Sequence, residues 1–190
     1  MTRSTQFTWK IVTGGAGGVG KTTFLHKYLT GEFLPDTKLT VGVQFHSQVI
    51  ERFENRVGLV LWDLGGQERF RFVQGRYIKG AVAALVFFDL SRYATLTQVP
   101  NWVEMIRENS SPLIPIILIG NKADLVDDEE IELASENARE IVKKLELTAY
   151  LSTSAKSGKN VVETIEYLVD NLLFEKTNGK VGAQLPQAVQ

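Results

Sequence analysis

The sequence predicts an α/β fold: one six-stranded, mainly parallel sheet with a single antiparallel strand and helices on both faces. Short apolar or β-branched runs alternate with longer segments of helical period, the order that builds parallel sheets. Residues 81–88 and 113–119 are apolar almost throughout rather than at every second position, as in strands covered on both faces. The chain has 190 residues, 44% hydrophobic and 23% charged, which is enough for one core of ordinary globular composition.

Taken in order, residues 8–13 read as the first strand, and glycines then lead into a helix over 21–29 with Phe24, Leu25, Tyr28 and Leu29 on one side. Residues 43–53 and 57–62 read as strands joined by a tight Glu54-Asn55 turn, which only an antiparallel hairpin permits. Residues 81–89 and 114–121 are the two buried strands. Three helices of 3.6-residue spacing are carried by Leu96, Val99, Val103 and Ile106; by Ile131, Ala134, Ala138, Ile141 and Leu145; and by Val161, Ile165, Leu168, Val169 and Leu172. A last short strand falls near Tyr150. The domain is expected over 8–174, between a flexible N-terminus (1–7) and a flexible tail (175–190) containing Gly179, Gly182 and Pro186.

Lys and Arg number 21 against 22 Asp and Glu, a net charge of −1, so no overall positive field favours nucleic acid or an acidic membrane. Cysteine is absent, which excludes disulfides, thiolate metal sites and sulfur-linked lipid anchors in these residues. No apolar run approaches the roughly 20 residues that cross a bilayer. The expectation is a cytoplasmic monomer without a lipid anchor, meeting membranes only through a protein partner. His26 and His46 have no motif context, and the run Asp127-Asp128-Glu129-Glu130 reads as the solvated first turn of a helix.

Residues 15–22, Gly15-Ala16-Gly17-Gly18-Val19-Gly20-Lys21-Thr22, match G-x-x-x-x-G-K-[ST] between a strand and a helix. Glycines let successive N–H groups wrap phosphates, and the helix N-terminus adds its partial positive charge. Lys21 reaches the β- and γ-phosphates, and Thr22, followed by Thr23, ligates Mg²⁺. Asp63 ends an apolar strand, where a carboxylate serves the metal directly or through water. Asn121, Lys122 and Asp124 lie just past another strand end, where ligands bind in open α/β sheets. The Asp124 carboxylate suits N1–H and the 2-amino group of guanine and repels the N1 lone pair of adenine. Ser154, Ala155 and Lys156 could add a backbone N–H to O6 and a lysine stem across the base.

In this order, with Thr40 after Pro35 and Asp63-Leu64-Gly65-Gly66-Gln67, these segments resemble the five nucleotide motifs of the Ras-superfamily small GTPases, over most of the chain. Thr40-Val41-Gly42-Val43-Gln44-Phe45 and the stretch from Trp62 through Gln67-Glu68-Arg69-Phe70 are most similar to the Rab branch. Leu64-Gly65 stands where Ras and Rab proteins carry Thr-Ala and is nearer the Arf branch; the extra glycine makes that loop costlier to order. The resemblance implies a P-loop NTPase G domain that binds GTP and GDP with Mg²⁺. It implies that Thr40 ligates Mg²⁺ and meets the γ-phosphate, Gly66 donates to that phosphate, Gln67 orients the attacking water and Phe33 packs on guanine. It further implies that Phe45, Trp62 and Tyr77 form an aromatic triad presented to regulatory and effector proteins. Core packing is the alternative for these four aromatics. No arginine is placed by the motifs at the γ-phosphate, so slow hydrolysis accelerated by a partner is expected. A P-loop kinase would need an arginine-rich lid, which is not evident, and a GTP-holding module would not need Gln67.

Overall fold

Strand β1 (Gln6–Gly15) lies inside the sheet because its side chains are apolar on both sides: Ile11 enters one core and Val12 the other. Around it, in a computed structural model describing residues 6–35, 39–67 and 71–177, follow α1 (Lys21–Thr30), β2 (Val43–Arg52), β3 (Asn55–Leu64), α2 (Arg71–Ile78), β4 (Ala83–Asp89), α3 (Val99–Glu108), β5 (Ile116–Asn121), α4 (Asp128–Lys144), β6 (Ala149–Ser152) and α5 (Val161–Lys176). The sheet order is β2-β3-β1-β4-β5-β6. Only β2 runs antiparallel to its neighbour; the other five strands are parallel. Helices α1 and α5 cover one face through Phe24, Leu25, Ile165 and Leu168. Helices α2, α3 and α4 cover the other through Ile78, Trp102, Ile106 and Ala138. The expected class and strand count hold.

Strand β1 begins at Gln6, paired with Arg56, so residues 6 and 7 belong to the sheet rather than to a flexible N-terminus. At the other end α5 continues through Lys176, so residues 175 and 176 are helical rather than tail. Residues 1–5, the tail residues 178–190 and the motif residues Glu68, Arg69 and Phe70 lie outside the described residues. The hairpin turns at Phe53-Glu54, one residue earlier than expected. Both residues adopt positive φ (48° and 61°), as a two-residue primed turn requires, and Arg52 pairs with Asn55 across it. Asn55 closes the turn from outside, its side-chain amide donating to the Phe53 carbonyl at 2.8 Å.

Helix α2 was not evident in the sequence. It has eight residues with Gly75 in the middle, where a Cβ would stand 2.5 Å from the Asn109 side chain beyond the end of α3. That glycine breaks the helical pattern in order to bring two elements close. The acidic run behaves as expected and does more. Asp127 accepts the Glu130 N–H at 2.8 Å while Glu130 accepts the Asp127 N–H at 3.1 Å, a reciprocal cap on α4.

Candidate functional site

The motifs at residues 15–22, 63–67, 121–124 and 154–156 emerge at the C-terminal ends of the parallel strands, where open α/β sheets bind ligands, and the Thr40 segment meets the same edge as it enters antiparallel β2. Loop 15–20 connects β1 to α1. Gly15 takes φ +131°, and a Cβ there would strike the Phe87 carbonyl; Gly20 takes φ +92°, and a Cβ there would overlap the Asn121 amide. Both positions need glycine, for the turn and for the close approach of β4 and β5. Gly17, Gly18, Gly20, Lys21, Thr22 and Thr23 line one cleft, closed on its far side by Leu39, Thr40, Gly66 and Gln67. Val19 points its side chain into the core beneath.

Lys21 is buried, its ammonium donating to the carbonyls of Gly15 (2.8 Å) and Ala16 (3.1 Å). Burial lowers its pKa to about 8, and the Asp63 carboxylate opposes that shift. The Thr22 hydroxyl donates to Asp63 Oδ2 at 2.5 Å and lies 2.7 Å from the Thr40 hydroxyl. Asp63 is fully buried, and Thr13 donates to its other oxygen at 3.1 Å. Two hydroxyls and a carboxylate thus converge on one point beside the loop, an all-oxygen donor set that suits a hard divalent cation. Among the described residues no group of three or more His, Cys, Asp or Glu side chains could hold a metal unaided. The Thr22, Thr40 and Asp63 oxygens fit Mg²⁺, which keeps waters and shares substrate phosphate.

Gly66 lies directly against the loop: a Cβ would overlap the Ala16 carbonyl group and the Gly17 nitrogen. Gly65 fits under the other closing segment, its N–H donating to the Gly42 carbonyl at 2.9 Å and its Cβ position only 2.6 Å from the Thr40 carbonyl oxygen. Gln74 of α2 donates to the Gly65 carbonyl at 2.5 Å.

A second cleft of about 360 Å³ adjoins the first through Gly20 and Thr23 and is lined by Phe33, Asn121, Lys122, Asp124, Ala155 and Lys156, among others. Asn121 is buried at its base. Its amide donates to the Val19 carbonyl (3.0 Å), and its oxygen accepts from the Thr153 hydroxyl (3.1 Å) and the Ala155 N–H (3.2 Å). Ser154 donates to Asp124 Oδ1 at 2.5 Å, and the Lys156 ammonium stands 3.9 Å from Asp124 Oδ2. Phe33 is 40% exposed at the rim of this cleft and is not core.

Away from both clefts, Trp62 stacks between Phe45 (5.7 Å) and Tyr77 (6.1 Å) on the sheet face opposite Asp63. Phe45 is 68% exposed, which no core residue would be, and the Lys10 ammonium lies 3.8 Å over the indole. His26 bonds the Glu32 carbonyl at 3.1 Å, and neither histidine lines either cleft.

The structure adds residues that the motifs do not contain. Asp89, at the end of β4, has a fully buried carboxylate that accepts from Ser91 on one oxygen and from Arg92 and Lys122, both at 2.8 Å, on the other. Burial disfavours its charge, but these hydrogen bonds outweigh burial and hold the carboxyl below its ordinary value. Arg92 also reaches the Gly17 carbonyl at 3.3 Å, so an arginine does stand beside the phosphate loop. The available signal was Asp89 itself, a carboxylate ending a wholly apolar strand as Asp63 does.

This geometry coincides with a family match: the model of the Ras family covers residues 10–174. The chain belongs to the Ras family. Among similar proteins, Ras-related protein RABA4a of Arabidopsis thaliana is 39% identical over 155 residues, covering 82% of this chain and 67% of that one. Ras-related protein Rab-11A of Dictyostelium discoideum is 37% identical, covering 82% and 71%. Ras-related protein Rab-27B of Rattus norvegicus is 35% identical, covering 95% and 86%. The chain is a Rab-like small GTPase, a guanine-nucleotide-binding GTP hydrolase of the switch type. Among the described residues of this Rab-like GTPase, no helix is long and apolar enough to cross a membrane.

Proposed function

We propose that the domain from β1 through α5 is a Mg²⁺-dependent, slowly hydrolysing GTP switch, with one cleft for the phosphates and the adjoining cleft for guanine. The observation that carries this reading is the convergence of Thr22, Thr40 and Asp63 oxygens beside a glycine loop that Gly66 closes. Bound Mg²⁺ would supply charge neutralisation at the β- and γ-phosphates, with Thr22 and Thr40 as ligands and Asp63 holding it directly or through water. The N–H groups of Gly15, Gly17, Gly18, Val19, Gly20, Lys21, Thr22 and Thr23 face the phosphates, and Lys21 leaves its loop carbonyls to pair with them. Asp124 accepts from guanine N1–H and the 2-amino group, the Ala155 N–H shares its hydrogen between Asn121 Oδ1 and O6, and Lys122, Lys156 and Phe33 flank the ring; Asn121 and Ser154 hold those groups in place.

For hydrolysis, Gly66 donates to the γ-phosphate and Gln67 aligns the attacking water, whose proton passes to the phosphate as the bond to the β-phosphate breaks. Positioning and charge do the work, and turnover without a partner should be on the order of 10⁻⁴ to 10⁻³ s⁻¹ by analogy with intrinsic Ras. Loss of the γ-phosphate frees Thr40 and Gly66, and regulators and effectors read the change at Phe45, Trp62 and Tyr77. The protein is proposed to act as a monomer in the cytoplasm, reaching membranes through a partner. The test is to denature purified protein, identify the released nucleotide, and time single-turnover GTP hydrolysis with and without Mg²⁺. Guanine nucleotide in near-equal molar amount and Mg²⁺-dependent hydrolysis are expected; an adenine nucleotide, or no nucleotide and no hydrolysis, overturns the reading.

A further inference from the structure

Asn121 is one link between the phosphate loop and the base-binding loops, and it sits at the bottom of the site, wholly buried. A second link runs across the top. The Asp89 carboxylate, with no exposure of its own, holds the Lys122 ammonium and Arg92 Nε, each at 2.8 Å on the same oxygen. From there Arg92 Nη2 reaches 3.3 Å to the Gly17 carbonyl and stands 3.4 Å from where a Cβ of Gly18 would be. Gly17 and Gly18 line the phosphate cleft, and Lys122 lines the base cleft.

The backbone under Arg92 is fixed on both sides. Leu90 N–H donates to the Asn121 carbonyl (3.0 Å), Arg92 N–H to the Asp89 carbonyl (2.9 Å), and the Thr95 hydroxyl accepts from Asp89 N–H (2.9 Å) and bonds the Arg92 carbonyl (2.7 Å). A guanidinium offers donors in a rigid plane, so one side chain can hold a carboxylate with one nitrogen and a carbonyl with another. A lysine at this position could satisfy Asp89 but not both groups at once.

We infer that Arg92 is a positioning residue for bound nucleotide: with Asp89 and Lys122 it forms a bridge that locks the phosphate loop to the base loop and lengthens nucleotide residence. The inference rests on the guanine-nucleotide reading above. Nucleotide leaves when both loops loosen, and the bridge makes them loosen together. Its contribution belongs to dissociation, because affinity differences among variants of one site reside mainly in the off-rate.

The test measures dissociation and association of N-methylanthraniloyl-GDP with the full chain in Mg²⁺ and moderate salt, after confirming that wild type binds it. Arg92→Ala should speed release about fivefold, the size of one half-exposed charge-assisted hydrogen bond. Arg92→Lys should behave like Arg92→Ala, since it restores charge without the bridge. Asp89→Asn should also speed release, and adding Arg92→Ala to it should bring no further increase, because the arginine has already lost its anchor.

Unchanged release in Arg92→Ala overturns the inference, as does full rescue by Arg92→Lys or a multiplied effect in the double variant. A loss of affinity that lies wholly in the association rate would mean electrostatic steering instead, and also overturns it. Should Asp89→Asn not fold, the two Arg92 variants decide alone, since that side chain is 48% exposed. Failure of wild type to bind the probe removes the guanine-nucleotide reading itself, an outcome distinct from all of these.

Discussion

The two halves of the cleft are built differently although they share one edge of one sheet. On the base side, Asn121, Thr153 and Ser154 are buried, and hydrogen bonds between side chains and backbone hold Asn121, Asp124 and Ala155 without help from a ligand. On the phosphate side, the segment from Leu39 to Gly42 is largely exposed, with Val41 at 66%. It reaches the rest of the domain through the Thr40–Thr22 hydroxyl pair and the Gly65–Gly42 backbone bond. One half is preorganised by protein, which gives selectivity at little ordering cost. The other is held by a few polar bonds whose partners are also the groups a nucleotide and its cation would use, which is what a ligand-controlled equilibrium needs.

The largest break should come from Asp124→Asn. The carboxylate becomes an amide that can donate, so GTP affinity should fall roughly 10²- to 10³-fold, as for two charge-assisted bonds, while affinity for xanthosine triphosphate rises. Calorimetric titration with both nucleotides checks this, and an unchanged preference would remove the guanine assignment. Gln67→Leu addresses the other half. Binding should survive and single-turnover hydrolysis should slow on the order of 10²-fold, the usual worth of positioning a reacting water; rates equal to wild type would free Gln67 of its role.

Lys21 separates the empty and filled states by pH. Burial holds its pKa at about 8 in this structure, whereas a bound phosphate would favour the charged form. Binding above pH 8 must therefore take up a proton, and nucleotide affinity should fall by up to about tenfold per pH unit from there toward 10. The empty fold should show the opposite trend. An unfolded lysine, with a pKa of about 10.4, binds a proton that the folded one does not hold in this window, so unfolding free energy rises with pH between the two values. Titration and denaturant melts at pH 7.5 and 9.5 test both signs, and a flat affinity profile would contradict the first.

The smallest effect is expected from Gly65→Ala. Its Cβ would lie 2.6 Å from the Thr40 carbonyl oxygen, so the exposed segment must retreat and lose the bond to Gly42. One such bond is worth about 1 kcal/mol, near fivefold, and affinity for a non-hydrolysable GTP analogue should drop by that factor relative to GDP. An equal change for both nucleotides would show that the closing segment does not distinguish them.

The glycine loop and the strand-end motifs were legible as local structure because their residue types answer to local demands: φ at Gly15 and Gly20, a helix N-terminus at Lys21, strand ends at Asp63 and Asn121. What escaped depends on distant partners. Gly75 in α2 looks like a helix breaker until Asn109 is beside it. Arg92 lies 75 positions from Gly17 and belongs to no spaced motif, so only folding reveals their bond. Phe33 and Phe45 read equally well as core or surface, since aromatic residues in such segments serve both, and only their exposure decides.

The turn end of the β2–β3 hairpin carries a constraint of its own. Arg52 grips Asp170 of α5 with two nitrogens, at 2.7 and 2.8 Å, and lies 3.4 Å from Glu166. The hairpin is thus clamped like a ruler held at one end of a bench. Sliding the whole ribbon past β1 would have to break this pair, whereas flexing at Val43 and Leu64 would not. The end at Val43 and Leu64, which borders the cleft, is thus the end of the ribbon farthest from the clamp.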